Sequence, residues 1–272
     1  MGTGCDTILA QMAAECLDCS PDDVSVFGAD TDASPYDSGS YASSTTYVTG
    51  KAVEKASAEL KDQICRLAAK ALDCDPAEVV FEGRTVEHPA TGKQISLADL
   101  SYQAQLGNGQ AVQATATHSS QVSPPPFMVG MAEIELDRLT GQVTVLEYKS
   151  VVDCGTPINE ALARVQAEGG IVQGIGMTLM EDVHYTAKGR PVESSLMQYK
   201  LPTRLEMGKL QVEFESSFEP TGPFGAKSIG EVVINTPPPA IVHAIYRATG
   251  VWHRTLPVTP EKIAMAIDPM QR

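Results

Sequence analysis

A chain of 272 residues, 43% of them hydrophobic, is long enough to bury a substantial core in one large domain or two modest ones. Its net charge of −14 repels polyanions, which argues against nucleic acid or an anionic membrane as partner and suits a soluble cytoplasmic protein. No window approaches the roughly 18 apolar residues that span a bilayer, no basic-then-apolar signal pattern opens the chain, and six scattered cysteines (5, 16, 19, 65, 74, 154) read as free thiols of a reducing compartment.

Met1-Gly-Thr-Gly4 runs without a leader into a helical stretch, in which Ile8, Leu9, Met12, Ala13 and Cys16 recur at helical spacing. After the turn Ser20-Pro21-Asp22-Asp23, Val24-Ser-Val-Phe27 alternates as a strand does. Gly28 to Tyr41, rich in Asp, Ser, Gly and Pro, is a loop. A long helix is predicted from about Thr46 to Leu72, with Val53, Ala56, Leu60, Ile64 and Leu67 on one face. Its end repeats the end of the first: Leu17-Asp-Cys-Ser-Pro-Asp-Asp-Val24 and Leu72-Asp-Cys-Asp-Pro-Ala-Glu-Val79 share Leu-Asp-Cys-x-Pro-x-acid-Val. The repetition predicts two related helix-turn-strand units.

Short strands are predicted at Val79-Phe81 and Arg84-His88, then a turn at Pro89-Gly92, a helix starting near Ser96, and further alternation over Ala111-Thr117. Ser123-Pro-Pro-Pro126 cannot enter a sheet interior, so the chain divides there into α+β subdomains at 1–122 and 123–272. In the second, Met131-Glu135 and Gln142-Val152 flank the hairpin signal Asp137-Gly141, and a helix covers Asn159 to Met180. A further hairpin turns at Ala187-Lys-Gly189, Leu210-Phe218 is a strand, and helices cover Thr236-Thr249 and Thr259-Ile267, the last opened by Thr-Pro. The fold class is α+β, two subdomains of mixed sheets and helices.

Four segments hold the candidate chemistry. Thr221-Gly-Pro-Phe-Gly-Ala-Lys-Ser-Ile-Gly-Glu231 surrounds one carboxylate with glycines that allow close approach to a ligand; locally, Glu231 also fits an exposed turn residue or a helix-approach charge. Tyr36 to Thr46 sets several hydroxyls before the long helix, where unpaired N–H groups favour an anion, although one of them used as an N-cap explains as much. Glu168-Gly-Gly-Ile-Val-Gln-Gly-Ile-Gly176 carries four glycines within a helix, each costing about 1 kcal/mol relative to alanine, so something approaches that backbone closely, a ligand or a second helix. Cys16-Leu-Asp-Cys19 lacks a second pair and reads as helix-end packing; His88, His118, His184, His243 and His253 are dispersed, so no protein-held metal is expected. Nucleotide-binding and hydrolase motifs are absent.

In order along the chain, Met1-Gly-Thr-Gly4, Gly39-Ser-Tyr-Ala-Ser-Ser-Thr45, Gly170-Ile-Val-Gln-Gly174 and Gly225-Ala-Lys-Ser-Ile-Gly-Glu231 resemble the C-terminal half of the molybdopterin-binding large subunit of the xanthine dehydrogenase/aldehyde oxidase family. Thr3 stands where that family commonly has Gln, and Val232-Val233 where many members have Pro-Pro. The resemblance implies a molybdenum–molybdopterin cofactor, in the cytosine dinucleotide form, contacted by Gly2, Thr3, Gly4, Ala42, Ser43, Thr45, Gln173 and Gly230. It implies Tyr41 and Ala42 at the substrate, and Glu231 as the base that deprotonates a molybdenum-bound hydroxyl during attack on an electron-poor carbon. The dithiolene of the cofactor would supply the sulfur ligands, so no protein ligand to molybdenum is required.

The expected activity is hydroxylation of an N-heterocycle (purine or nicotinate-like) or an aldehyde with water-derived oxygen. Electrons would pass to a [2Fe-2S] subunit and an FAD subunit, with an N-terminal molybdopterin-binding half subunit completing the pocket, and the chain is expected to be inactive alone. The alternative is a non-catalytic cofactor-binding or assembly module, or a truncated remnant, of the same fold.

Overall fold

The computed structural model describes residues 2–108 and 111–267; the predicted turn's Met1 lies outside them. The chain folds as two compact units, Met1–Pro124 with Glu219–Ala226, and Pro125–Phe218 with Lys227–Arg272.

In the first unit, helix α1 (Cys5–Cys16) packs on α2 (Gly50–Leu72), and an antiparallel sheet of β1 (Val80–Glu82), β2 (Thr85–His88) and β3 (Lys93–Ser96) is followed by α3 (Leu97–Asn108). Ile64, Ala68 and Leu72 on one face of α2 meet Phe81, Val86 and Ile95 from the sheet, which makes this unit's core. The i, i+4, i+8 spacing of the helical set is what aligns it with the period-2 inward residues of the strands. The repeated motif is repeated in three dimensions. Asp18 and Asp73 both turn left-handed (φ 48° and 58°), and the N–H groups of Cys19 and Cys74 return to Ala14 and Ala69 carbonyls at 3.0 Å each. A short 3-10 turn opened by proline then follows in both copies, capped by Ser20 in one and Asp75 in the other.

The predicted strand at Val24–Phe27 does not form. Val26 and Phe27 are exposed, and no strand pairs with them among the described residues. Ala111–Thr117 keeps its alternating burial but joins no ladder, so period-2 patterning there marks an extended segment lying on a surface. Strand β3, unanticipated, directly follows the predicted turn at Pro89–Gly92.

In the second unit, β4 (Phe127–Leu136) and β5 (Val143–Asp153) form the antiparallel hairpin, with a bulge between Glu133 and Ile134. Helix α4 (Glu160–Leu179) then crosses to β6 (Lys209–Phe214), which lies parallel to β5. The remaining elements are α5 (Val232–Asn235), α6 (Pro237–Thr249) and α7 (Pro260–Ala266). Tyr148, Val152 and Val212 from the sheet pack with Ile171 and Ile175 of α4 and Ile241 of α6. Thr259 caps α7 through Lys262 N–H, as the Thr-Pro pair predicts. The predicted strand over Leu210–Phe218 ends at Phe214, and the predicted hairpin at Ala187–Gly189 reduces to one bridge, Tyr185 to Pro191; a proline has no N–H with which to extend a ladder. Among the described residues, no helix is long and apolar enough to cross a membrane.

Candidate functional site

The sequence-predicted residues divide between the units. Gly2, Thr3, Gly4, Tyr41, Ala42, Ser43 and Thr45 belong to the first, and Gln173, Gly230 and Glu231 to the second.

In the first unit, Gly2 and Gly4 are left-handed (φ 82° and 79°), and Gly4 sits at the N-terminus of α1 with no side-chain cap. Gly4, having no side chain, supplies no cap to the first N–H groups of that helix. In the second stretch Ala42 and Ser43 are both left-handed (φ 49° and 55°), although neither is a glycine. Such a conformation costs about 1–2 kcal/mol per residue and persists only where its surroundings hold it, as they do at many ligand-contacting loops.

The holding contacts are local. Ser44 Oγ and N–H both donate to the Tyr41 carbonyl at 2.8 and 3.1 Å, and Thr45 Oγ1 donates to Ser40 Oγ at 2.9 Å. Thr45–Thr49 then continues as a π-helical turn into α2. Tyr41 stands 61% exposed above this turn.

The segment Glu219–Ala226 anchors the same region from the far end of the sequence. Thr221 Oγ1 donates to Glu219 at 2.5 Å, so the buried Tyr47 hydroxyl, 2.6 Å away, donates to Thr221. Gly50 and Gly222 leave room for this closure: a Cβ on Gly50 would sit 2.8 Å from Met12 Sδ and 3.0 Å from Pro223 Cγ, and one on Gly222 would sit 1.9 Å from the Ala226 carbonyl oxygen. The donor set of the loop is neutral: peptide N–H groups and hydroxyls at left-handed turns beside a helix N-terminus. Such a set fits phosphate oxygens and the polar edge of a pterin.

In the second unit, the segment leading to Glu231 is fixed at its start. Lys227 N–H donates to the Cys154 carbonyl at 2.7 Å, and its ammonium, on a side chain only 8% exposed, donates to Asp153 Oδ2 at 2.6 Å. The same ammonium lies 5.4 Å from the centroid of the Phe127 ring. Ser217 Oγ and Gly155 N–H complete the shell of Asp153 at 2.6 and 3.0 Å. Burial pushes the Asp153 carboxyl up, but the hydrogen bonds from Lys227, Ser217 and Gly155 outweigh it and hold it below the usual carboxylate range. The sequence reading missed Lys227 and Asp153; a lysine inside a run of small residues was the available signal.

A depressed pKa stabilises the fold above the unfolded-state value of about 3.9 and withdraws that stability as pH falls through the folded-state value. Asp153→Asn is therefore expected to be less stable than the parent chain at neutral pH, with the gap narrowing as pH falls below about 4. Urea denaturation at a series of pH values checks this; a gap that stays constant with pH would refute it.

Four residues after Lys227, Glu231 is exposed and precedes α5, its carbonyl accepting from Ile234 N–H at 3.3 Å. Its position follows from the glycines of α4. A Cβ on Gly170 would lie 2.2 Å from Val233 Cγ2, and one on Gly174 would lie 2.8 Å from the Pro237 ring. These two bare positions seat α5 and the start of α6 against α4. Residues 170, 173 and 174 share one helical face, so Gln173, itself exposed, lies beside the seam that receives α5. Between a ligand and a second helix as the reason for these glycines, Gly170 and Gly174 serve the helix. Gly169 faces open space.

The family model described as molybdopterin cofactor-binding domain matches residues 1–208. Among curated proteins, the chain is 34% identical over 273 residues to the Escherichia coli protein named "Probable hypoxanthine oxidase XdhD", covering 98% of this chain and 28% of that protein. It is 34% identical to the 6-hydroxypseudooxynicotine dehydrogenase complex subunit gamma of Paenarthrobacter nicotinovorans, covering 97% of this chain and 34% of that one. Among solved structures, quinoline 2-oxidoreductase from Pseudomonas putida 86 superposes with a TM-score of 0.86 at 30% identity, over 98% of this chain and 35% of that chain. The chain thus spans about a third of the length of the relatives it matches.

Proposed function

The chain belongs to the molybdopterin cofactor-binding domain family of xanthine dehydrogenase- and aldehyde oxidoreductase-type enzymes, and from that premise we propose that it cradles the cofactor and carries the catalytic base of a molybdenum hydroxylase. The observation that carries this reading is the α4–α5 seam, which fixes an exposed carboxylate, Glu231, at the end of a segment pinned by a buried Lys227–Asp153 pair.

When bound, the molybdenum of the molybdopterin cofactor would supply the two-electron oxidising centre. Gly2, Thr3, Gly4, Ala42, Ser43 and Thr45 would hold its phosphates and pterin through peptide N–H and hydroxyl donors, with Gly230 permitting close approach and the Gln173 amide donating near the metal end. Thr3 is shorter than the glutamine usual in the family, so its part is carried mainly by its backbone. Glu231, through a carboxylate oxygen, takes the proton released as an oxygen nucleophile attacks the substrate carbon. Tyr41 and Ala42 would line the approach of the substrate, Tyr41 offering an aromatic face to a flat heterocycle.

The names of the relatives favour N-heterocycles, purine or nicotinate-like, over aldehydes as the substrate class. Two electrons per turnover have to leave the site, which calls for iron–sulfur and FAD partner subunits; an N-terminal half would complete the pocket, and cytosine dinucleotide is the proposed cofactor form. A cytoplasmic setting, where these partners are assembled, belongs to the same reading.

Co-expression of the chain with the products of its neighbouring genes, followed by molybdenum analysis and dye reduction with purine, nicotinate and aldehyde substrates, tests this. Retained molybdenum with substrate-dependent dye reduction is the expected result. Retained metal with no turnover would make the chain a non-catalytic cofactor-binding module, and failure to retain metal would refute the cradle.

A further inference from the structure

We propose that Cys74, Glu78 and His88, in the first unit, form a binding site for a borderline-soft divalent cation, zinc above all. The ligand atoms of these three side chains all lie within 4.8 Å of one another. They come from the turn that ends α2 and from the end of β2, so a shared ion would pin that turn to the three-stranded sheet. The site is independent of molybdopterin and of the reading above.

The three donors are already oriented. His88 is buried, and its Nδ1 lies 2.9 Å from Thr91 Oγ1. With Nδ1 taken up by the Thr91 hydroxyl, Nε2 is the ring nitrogen left for a metal, and the tautomer in which Nδ1–H donates to the hydroxyl gives it the lone pair that a metal needs. Glu78 is held in a capping box, one carboxylate oxygen accepting from Asp75 N–H at 3.0 Å, which leaves the other oxygen to ligate. The Cys74 thiol has only a long contact, 3.8 Å to the Ala69 carbonyl. Ligand atoms around tetrahedral zinc are about 3.3–3.8 Å apart, so closure needs a shift of roughly 1 Å, which the exposed Glu78 side chain can make. A thiolate, an imidazole and a carboxylate, with water as fourth ligand, form a donor set suited to zinc and poorly suited to magnesium or calcium.

The repeated motif supplies an internal comparison. Cys19 and Asp23 stand in the first copy where Cys74 and Glu78 stand in the second. In the first copy the cation is built in, because the Arg84 guanidinium pairs with Asp23 and acts on the Cys19 thiol. In the second, Glu78 has no ion pair among the described residues, Asp73 and Asp75 add negative charge, and an imidazole stands near in place of the guanidinium. Lys93, opposite His88 in the hairpin, is close enough to influence the thiol but forms no ion pair with Glu78. The turn is the same in both copies, and the compensating charge in the second is left to come from solution.

Cobalt(II) titration of the reduced 272-residue chain tests the proposal. One equivalent is expected to give a near-ultraviolet thiolate-to-cobalt charge-transfer band with visible bands of tetrahedral intensity, both removed by zinc. Cys74→Ser is expected to lose the charge-transfer band, and Cys19→Ser to keep it. His88→Gln, with folding checked by circular dichroism, is expected to weaken zinc binding at least tenfold in competition with a chromophoric chelator. No charge-transfer band in the parent chain, its survival in Cys74→Ser, or its loss in Cys19→Ser would overturn the assignment. Because Cys74→Ser is a small change at a half-buried position, its effect is readable without loss of the fold.

Discussion

In the assembled enzyme, Glu231→Gln is expected to lower substrate-dependent dye reduction by about 10²–10⁴-fold, the range for loss of a positioned general base, while molybdenum content stays at the parent level. The substitution keeps the length and planarity of the side chain while removing its negative charge and its capacity to take a proton. The side chain of Glu231 does not cap α5, and what the backbone contributes there is its carbonyl, which glutamine also has. The substitution takes one negative charge from the helix N-terminus, worth at most about 1 kcal/mol at an exposed site. Two outcomes are therefore separable. Lost molybdenum would indicate that Glu231 helps to hold the cofactor; turnover within tenfold of the parent at equal molybdenum would end its assignment as the base.

Much of the fold was legible because its strongest signals are local. The Asp137–Gly141 turn between two alternating runs yields the β4–β5 hairpin, and the recurrence of Leu-Asp-Cys-x-Pro yields two turns with the same left-handed aspartate and the same returning N–H. Alternation misled at Val24–Phe27 and Ala111–Thr117, since it reports a two-sided environment and not the presence of a partner strand. The parallel pairing of β6 with β5 depends on where α4 returns the chain, which no short window encodes.

The candidate site is proposed from glycine-rich and hydroxyl-rich segments that the sequence displays, but the contacts that support those segments are not visible there. Left-handed Ala42 and Ser43 break the rule that reserves that conformation for glycine, so composition could not flag them. The Lys227–Asp153 pair joins residues 74 positions apart, and only the packing of Phe127 and Cys154 around it reveals that the lysine is buried. The cluster of Cys74, Glu78 and His88 was hidden for a related reason: spacing rules for metal sites look for regular pairs, and here a tight turn and a strand end bring the donors together.

Two neighbouring glycines of α4 should respond with opposite signs to the same substitution. Gly169→Ala places a methyl in open space and gains helix propensity, so the chain should become more stable by about 0.5–1 kcal/mol in urea denaturation, with turnover of the assembled enzyme unchanged. Gly170→Ala has the same propensity gain but sets its Cβ 2.2 Å from Val233 Cγ2 and 3.0 Å from Val233 Cβ, and Val233 is fully buried. Overpacking of a filled core costs about 1–3 kcal/mol, so the net change should be destabilising. Relief requires α5 to move off α4, and Glu231 is the residue immediately before α5. A displacement on the order of 1 Å at a reacting group can lower turnover about 100-fold, so the functional loss should exceed what stability alone explains.

The compensating change follows from the same contact. Val233→Ala removes the methyl groups that clash, and Gly170→Ala combined with Val233→Ala should restore most of the turnover and be more stable than the sum of the single effects by about 1–2 kcal/mol. Additive stabilities with no recovery of turnover would show that the Gly170 seam does not position Glu231. That result would leave the carboxylate to be placed by the Lys227–Asp153 anchor four residues before it.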